Sequence, residues 1–178
     1  SSRLFPGSLF IPEGGLSESG IRGTSEIMQD CVACNPTHVV VAGGTMGTAC
    51  GIVAAAPAQV KVIIVPAWKG CTHSYFSGIL NTFGVDPACT WDIWPDYHFG
   101  GFGRFNQQLI DFMIQFTRNT GIPLDPVYTG KVMYAIDDKM RSGLFNDSDN
   151  IIAIHTGGIQ GLAGFKYRFP AEWGRYLP

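Results

Sequence analysis

Residues 38–51 read "HVVVAGGTMGTACG", and the reading of this stretch decides the fold. Residues 38–41 favour an extended strand, Gly43 and Gly44 interrupt regular structure, and 45–56 is rich in small residues up to Pro57. The order is strand, tight turn, helix. Such a turn leaves unpaired backbone N–H groups at the positive end of a helix dipole, where proteins bind phosphate. Two more glycine turns, "PEGG" at 12–15 and "HTGG" at 155–158, also follow strand-like runs. In an open α/β sheet the loops at the carboxyl ends of the strands line one crevice, so the three turns can converge on one ligand. The alternative is that these glycines only make tight turns between strands and helices. "AGGTMG" lacks the G-K-[ST] ending of a P-loop, and Gly43, Gly44 and Gly47 do not fit G-x-G-x-x-G. A nucleoside triphosphate or a dinucleotide is therefore disfavoured.

Outward from this stretch the elements alternate. Strands are expected at 8–11, 37–41, 60–66, 90–94 and 150–154. Helices are expected from Ser17, as N-cap, to about Val32, over 45–56, and over 72–83 up to Gly84. Two more are expected over 104–119, with Leu109, Phe112, Met113 and Phe116 on one stripe, and from "DPVYTGK" to Arg141. Alternation of this kind implies an α/β fold, an open and mainly parallel twisted sheet with helices on both faces.

Bulk properties narrow the function. A chain of 178 residues with 46% hydrophobic and 15% charged residues buries a core and forms one compact unit. Its net charge of −2, with 12 basic and 14 acidic residues and no basic run, gives no footprint for nucleic acid or an anionic membrane. The apolar stretch 60–68 is broken by Lys61 and Pro66 and is too short to span a bilayer. Cys31, Cys34, Cys50, Cys71 and Cys89 are odd in number and lack framework spacing, which fits reduced thiols in a cytoplasmic compartment. "CVAC" at 31–34 is formally C-x-x-C, but a zinc site needs further ligands and a redox motif opens a helix rather than closing one. It reads as two small side chains packing at a helix end, and no metal site is expected. The start, "SSRLFPGSLFIPEGG", has no initiator Met and reads as internal to a longer or processed polypeptide.

Four segments, "IPEGG", "VVAGGTMGTACG", "LDPVYTGKVM" and "IIAIHTGGIQGLAGF", stand in an order and spacing that resembles one family of pyridoxal-phosphate enzymes. It is the 1-aminocyclopropane-1-carboxylate deaminase and D-cysteine desulfhydrase family, which has the tryptophan synthase β-like (fold type II) architecture. The resemblance covers the rear half to two-thirds of a typical member. It implies that residues 1–178 are the C-terminal cofactor-binding portion of such an enzyme and that the cofactor is pyridoxal 5'-phosphate.

By the same resemblance, Ala42, Gly43, Gly44 and Thr45 align with the phosphate loop, and Gly14 with a glycine beside the cofactor. Tyr128 aligns with a catalytic tyrosine over the cofactor ring, and Thr129 and Thr156 with positions near the pyridine nitrogen. On the residues alone, Tyr128 also reads as a core aromatic beside a proline turn. The deaminase proper carries a glutamate at the Thr129 position, whereas the desulfhydrases resemble this chain. A carboxylate keeps the pyridine nitrogen protonated, while a threonine hydroxyl only hydrogen-bonds it. Phe102, in "FGRFN", falls in the substrate pocket where the family has a second tyrosine, and its ring cannot transfer a proton.

The family's cofactor-linking lysine lies in a "GNK" stretch before the matched region. Lys61, Lys69, Lys131, Lys139 and Lys166 have none of that context, and Lys131 aligns with a non-catalytic lysine. The serine-asparagine turn that binds the substrate carboxylate is also missing, so this segment alone is expected to be inactive. The complete enzyme is expected to be a homodimeric lyase or deaminase that releases a 2-keto acid and ammonia from a small amino acid. The alternative is a truncated, non-catalytic pseudo-enzyme or a domain that binds a phosphorylated ligand without chemistry.

Overall fold

The computed structural model describes residue 8 and residues 10–174. Along the chain come α1 (Glu18–Ser25), α2 (Ile27–Val32), β1 (His38–Gly43), α3 (Gly47–Ala55), β2 (Lys61–Pro66) and α4 (His73–Thr82). Then follow β3 (Thr90–Ile93), α5 (Gln107–Thr120), α6 (Thr129–Arg141), β4 (Ile151–Ala153), α7 (Leu162–Arg168) and α8 (Pro170–Trp173). The strands form one parallel sheet in the order β3-β2-β1-β4.

β1 and β2 are apolar almost throughout because both of their faces are covered. Val39, Val41, Val62 and Ile64 point into a core shared with α1 to α4, through Ile21, Met28, Ile52 and Phe76. Their neighbours Val40, Ala42, Ile63 and Val65 point the other way, onto Val132, Ala135 and Ile136 of α6. Burying each Val or Ile is worth about 1.5–3 kcal/mol, so the two central strands anchor the domain. A third cluster, with Leu109, Met113, Leu162 and Trp173, joins α5 to α7 and α8.

Helix starts follow the capping residues. Ser17 accepts the Gly20 N–H (3.1 Å), Thr72 that of Tyr75 (3.1 Å) and Asn106 that of Leu109 (2.9 Å). α1 crosses α3 closely, since a Cβ on Gly51 would stand 2.1 Å from Thr24 Oγ1 and 2.5 Å from the Ile21 carbonyl. That crossing brings the 12–15 turn beside the end of β1.

Three expectations need correction. The helix expected over 17–32 is two helices, divided at Glu26. The strand expected over 8–11 is not formed at Ser8, Phe10 or Ile11, and Leu9 lies outside the described residues. Phe10 and Ile11 are 68% and 71% exposed and have no strand beside them among the described residues, so β propensity has nothing to pair with. β1 also continues through Gly43, which pairs with Pro66, rather than breaking at Val41.

Candidate functional site

The chain leaves β1 at Gly43 and turns through Gly44, Thr45 and Met46, whose φ is +74°, into α3. The first bond of that helix runs from the Cys50 N–H to the Met46 carbonyl (2.8 Å), so the N–H groups of Gly47 and Thr48 precede the ladder. No side chain caps the helix. Gly47 and Thr48 stand in the wall of a cavity of about 310 Å³, with Ala42, Gly44 and Thr45 beside them. Gly14 closes it from the 12–15 turn, and Tyr128, Thr156, Gly158 and Gln160 from the opposite side. The volume falls in the range of cofactor sites, about 300–1,000 Å³. An uncapped helix start opening into it has the geometry to cradle an anion.

The cradle is as narrow as glycine permits. A Cβ on Gly14, at φ +61°, would lie 2.3 Å from Thr45 Oγ1. One on Gly44 would lie 3.1 Å from Tyr128 Oη. Both glycines let backbone approach side chains that face the cavity.

Tyr128 is set by Asp125, which is 3% exposed. Asp125 Oδ1 accepts the N–H groups of Val127 (2.8 Å) and Tyr128 (2.9 Å), and Oδ2 accepts the Thr129 N–H (2.8 Å) and hydroxyl (2.7 Å). This carboxylate caps α6 and fixes the backbone from which the tyrosine ring projects. The 155–158 turn rests on the same group, because a Cβ on Gly158, at φ +85°, would stand 2.8 Å from Asp125 Cγ. His155 pins that turn by donating from Nε2 to the Pro123 carbonyl (2.9 Å) and accepting the Gly157 N–H at Nδ1 (3.3 Å).

A second cavity, of about 380 Å³, shares Gly14, Gly44, Thr45 and Tyr128 with the first and adds Glu13, Trp68 and Phe102. Phe102, 61% exposed, meets Tyr128 edge-on with centroids 5.9 Å apart. Trp68 Nε1 donates to the Gly44 carbonyl (3.0 Å). Burial raises the Tyr128 pKa, and the negative charges of Asp125 and Glu13 add to the effect. The ring therefore carries its phenolic proton at neutral pH, between the two cavities.

Of the residues expected from sequence, Gly14, Ala42, Gly44, Thr45, Tyr128 and Thr156 line the first cavity, and Phe102 the second. Two others stand elsewhere. Gly43 is buried beneath the turn, where a Cβ would meet the Met46 side chain at 2.8 Å and Ile64 at 2.9 Å; it packs the turn on the sheet. Thr129 is 1% exposed, donates its hydroxyl to Asp125 Oδ2 and accepts the Asp125 N–H (2.8 Å), so helix capping uses its hydrogen-bonding capacity. Among the described residues no lysine lines either cavity.

Gly47, Thr48, Asp125, Trp68 and Gln160 were not named as site residues from the sequence, and Gly158 only as part of the 155–158 turn. The Asp-Pro pair before α6 is a capping signal that identifies Asp125, whereas nothing local to Trp68 marks it. All five cysteines are free, and burial raises the thiol pKa of Cys50 and Cys71 to about 11, as packing residues require. Among the described residues no group of three or more His, Cys, Asp or Glu could hold a metal ion, and no helix is long and apolar enough to cross a membrane.

Known proteins resemble this chain in sequence and fold. The chain is 30% identical over 169 residues to a D-cysteine desulfhydrase of Salmonella paratyphi C (strain RKS4594), and 29% identical over 169 residues to one of Klebsiella pneumoniae (strain 342). Each match takes in 87% of this chain and 52% of the relative, so the chain spans about half the length of these relatives. A crystal structure of an ACC deaminase homologue superposes with a TM-score of 0.77 at 26% identity, over 89% of this chain and 51% of that one. A fungal L-serine ammonia-lyase from Rhizomucor miehei shares the fold, with a TM-score of 0.53 at 12% identity over 85% of this chain and 56% of its own. The family model described as pyridoxal-phosphate dependent enzyme matches residues 3–157, and the chain belongs to that family.

Proposed function

We propose that this chain is the cofactor-binding part of a pyridoxal-phosphate-dependent lyase that eliminates a β-substituent, such as the thiol of a D-cysteine-like amino acid, to give a 2-keto acid and ammonia. The observation that carries this reading is Tyr128, which stands between an amide-lined anion cradle and a wider cavity walled by Trp68 and Phe102. The residues present fit the cofactor. The N–H groups of Gly47 and Thr48, with the Thr45 hydroxyl, suit a phosphate dianion, and the Tyr128 ring borders the space beyond it. When bound, pyridoxal phosphate supplies an electron sink for negative charge at the α-carbon of an amino acid.

The remaining steps belong to this chain's residues. Tyr128 keeps its proton through the neutral range and can present it at Oη to a group in the second cavity. Phe102 meets the tyrosine ring edge-on but offers no proton. Expelling a stabilised thiolate asks little of an acid catalyst, whereas opening a cyclopropane ring asks more, so the pocket favours β-elimination over 1-aminocyclopropane-1-carboxylate deamination. Relatives named D-cysteine desulfhydrase support this choice. A reducing, cytoplasmic setting belongs to the same proposal and is supported by the five free cysteines.

The test is keto-acid release from D-cysteine, β-chloro-D-alanine and 1-aminocyclopropane-1-carboxylate by the complete protein loaded with cofactor. The expected result is the highest kcat/KM on the substrates with a β-leaving group. A higher value on the cyclopropane would contradict the substrate reading, and no release from any of them would contradict the proposed activity.

A further inference from the structure

Lys131 is one of the largest fully buried side chains, 1% exposed. Its ammonium has three N–H donors, and three backbone carbonyls receive them, those of Ala67 (3.1 Å), His98 (2.9 Å) and Gly101 (2.9 Å). Each acceptor belongs to a segment that carries part of the second cavity. Ala67 precedes Trp68, Gly101 precedes Phe102, and Lys131 lies one turn along α6 from Tyr128.

Besides Lys131, the 98–104 segment is held by the Phe99 ring edge-on to Tyr134, with centroids 4.9 Å apart, and by the Gly100 N–H on His98 Nδ1 (2.9 Å). It runs through positive φ at Phe99 (+51°), Gly100 (+100°), Gly101 (+128°) and Gly103 (+64°), outside any strand or helix after residue 98. Its own backbone bonds are those from the Gly101 N–H to the His98 carbonyl (3.0 Å) and from the Arg104 N–H to the Gly101 carbonyl (3.1 Å). The ammonium grips both of those carbonyls at once. On the other side, the Ala67 N–H donates to the Gly43 carbonyl (2.8 Å), so the network continues into the anion-binding turn. An ammonium on backbone carbonyls is oriented by their dipoles, and such charge-assisted bonds are shorter and stronger than neutral ones.

We propose that Lys131 is a positioning residue for the substrate side of the site, tying the 98–104 segment to the end of β2 and to α6 so that Phe102 and Trp68 are held against Tyr128. The inference rests on the reading of the second cavity as the amino-acid pocket. It assigns Lys131 no contact with cofactor or substrate. A lysine that met only a packing need would lose little by conversion to methionine, whose size is similar and whose burial costs less.

The experiment compares wild type, Lys131→Met and Lys131→Gln in the complete, cofactor-loaded protein. The first readout is hydrogen exchange of peptides covering 98–104, which needs no turnover. Exchange is expected to speed up by about tenfold or more in Lys131→Met while peptides of β1 and β2 keep their protection. In Lys131→Gln, whose amide replaces two of the three donors, the increase should be smaller. The second readout is kinetic. KM for D-cysteine is expected to rise by about tenfold in Lys131→Met, with kcat and cofactor affinity changed by no more than about threefold.

Unchanged exchange over 98–104, or a loss confined to cofactor affinity, would overturn the proposal. So would failure of both variants to fold, which would assign Lys131 to the core alone. If wild type does not process D-cysteine, the activity reading fails, and the exchange result still decides the role of Lys131.

Discussion

Gly14 and Gly15 form a controlled pair for testing the anion cradle. Both hold positive φ, +61° and +67°, so alanine at either position meets the left-handed penalty of about 1–2 kcal/mol. Only Gly14 has a neighbour in the way. Its Cβ would lie 2.3 Å from Thr45 Oγ1 and 2.7 Å from Thr45 Cγ2, whereas a Cβ on Gly15 meets nothing within 4 Å. The backbone strain is present with and without cofactor and largely cancels from the binding equilibrium. Displacement of Thr45 does not cancel, because the hydroxyl then cannot reach the phosphate. The loss is one charge-assisted hydrogen bond, about 1.5–3 kcal/mol, or roughly 10- to 150-fold in Kd. The assay is titration of the complete, cofactor-stripped protein with pyridoxal phosphate, followed by cofactor absorbance. Gly14→Ala should bind 10- to 150-fold more weakly by that arithmetic, while Gly15→Ala should bind as wild type and lose only stability. Equal affinities for the two variants would refute the placement of Thr45 on the phosphate.

Other perturbations probe different parts of the account. Asp125→Ala removes the α6 cap and leaves the Thr129 N–H and hydroxyl without their buried acceptor, so the complete protein should lose about 3 kcal/mol in a denaturant titration; an unchanged midpoint would contradict the capping role. Gly44→Val should lower cofactor content, since a side chain there enters the space beside Tyr128 Oη, and undiminished cofactor absorbance would argue against that approach. Phe102→Tyr should raise kcat/KM for 1-aminocyclopropane-1-carboxylate relative to D-cysteine by about tenfold, and an unmoved ratio would remove Phe102 from substrate choice. Burial brings the Lys131 pKa down to about 8 from 10.5, against the pull of the Asp125 charge. Between those values the unfolded chain holds a proton that the folded chain has released, so this group makes stability rise with pH in that window, a slope that Lys131→Met should abolish.

Much of this architecture was legible because it rests on short-range rules. The apolar runs of β1 and β2, the cap Ser17 and the glycine stops all act within a few residues of where they appear. The turns after β1 and β4 meet at one cavity as parallel-sheet geometry requires, whereas the 12–15 turn follows no strand among the described residues and reaches the same cavity through the crossing of α1 and α3. What was not legible includes close pairs that went unread as well as partners distant in the chain. Thr129, expected near the cofactor from its place in "DPVYTGK", also shares its hydroxyl with Asp125 four residues earlier. Gly43, expected in the anion loop, has Met46 and Ile64 in the space a Cβ would need. Trp68 is tied to the site by its indole N–H on the Gly44 carbonyl, 24 positions away. The strand expected over 8–11 shows the same limit, since a pattern suited to a strand forms one only where a neighbour supplies the ladder. α7 and α8 went unread although Leu162, Phe165, Phe169 and Trp173 recur at helical spacing, because Pro170 divides the stretch into two short helices.

The central claim is that the turn between β1 and α3 holds the cofactor phosphate, with Tyr128 between cofactor and substrate. A crystal structure of the complete protein with pyridoxal phosphate tests it most directly. The account predicts phosphate oxygens within hydrogen-bonding distance of the Gly47 and Thr48 amide nitrogens and Thr45 Oγ1, and the Tyr128 ring against the bound cofactor. A phosphate seated away from residues 44–48, or a cofactor ring out of reach of Tyr128, would contradict it.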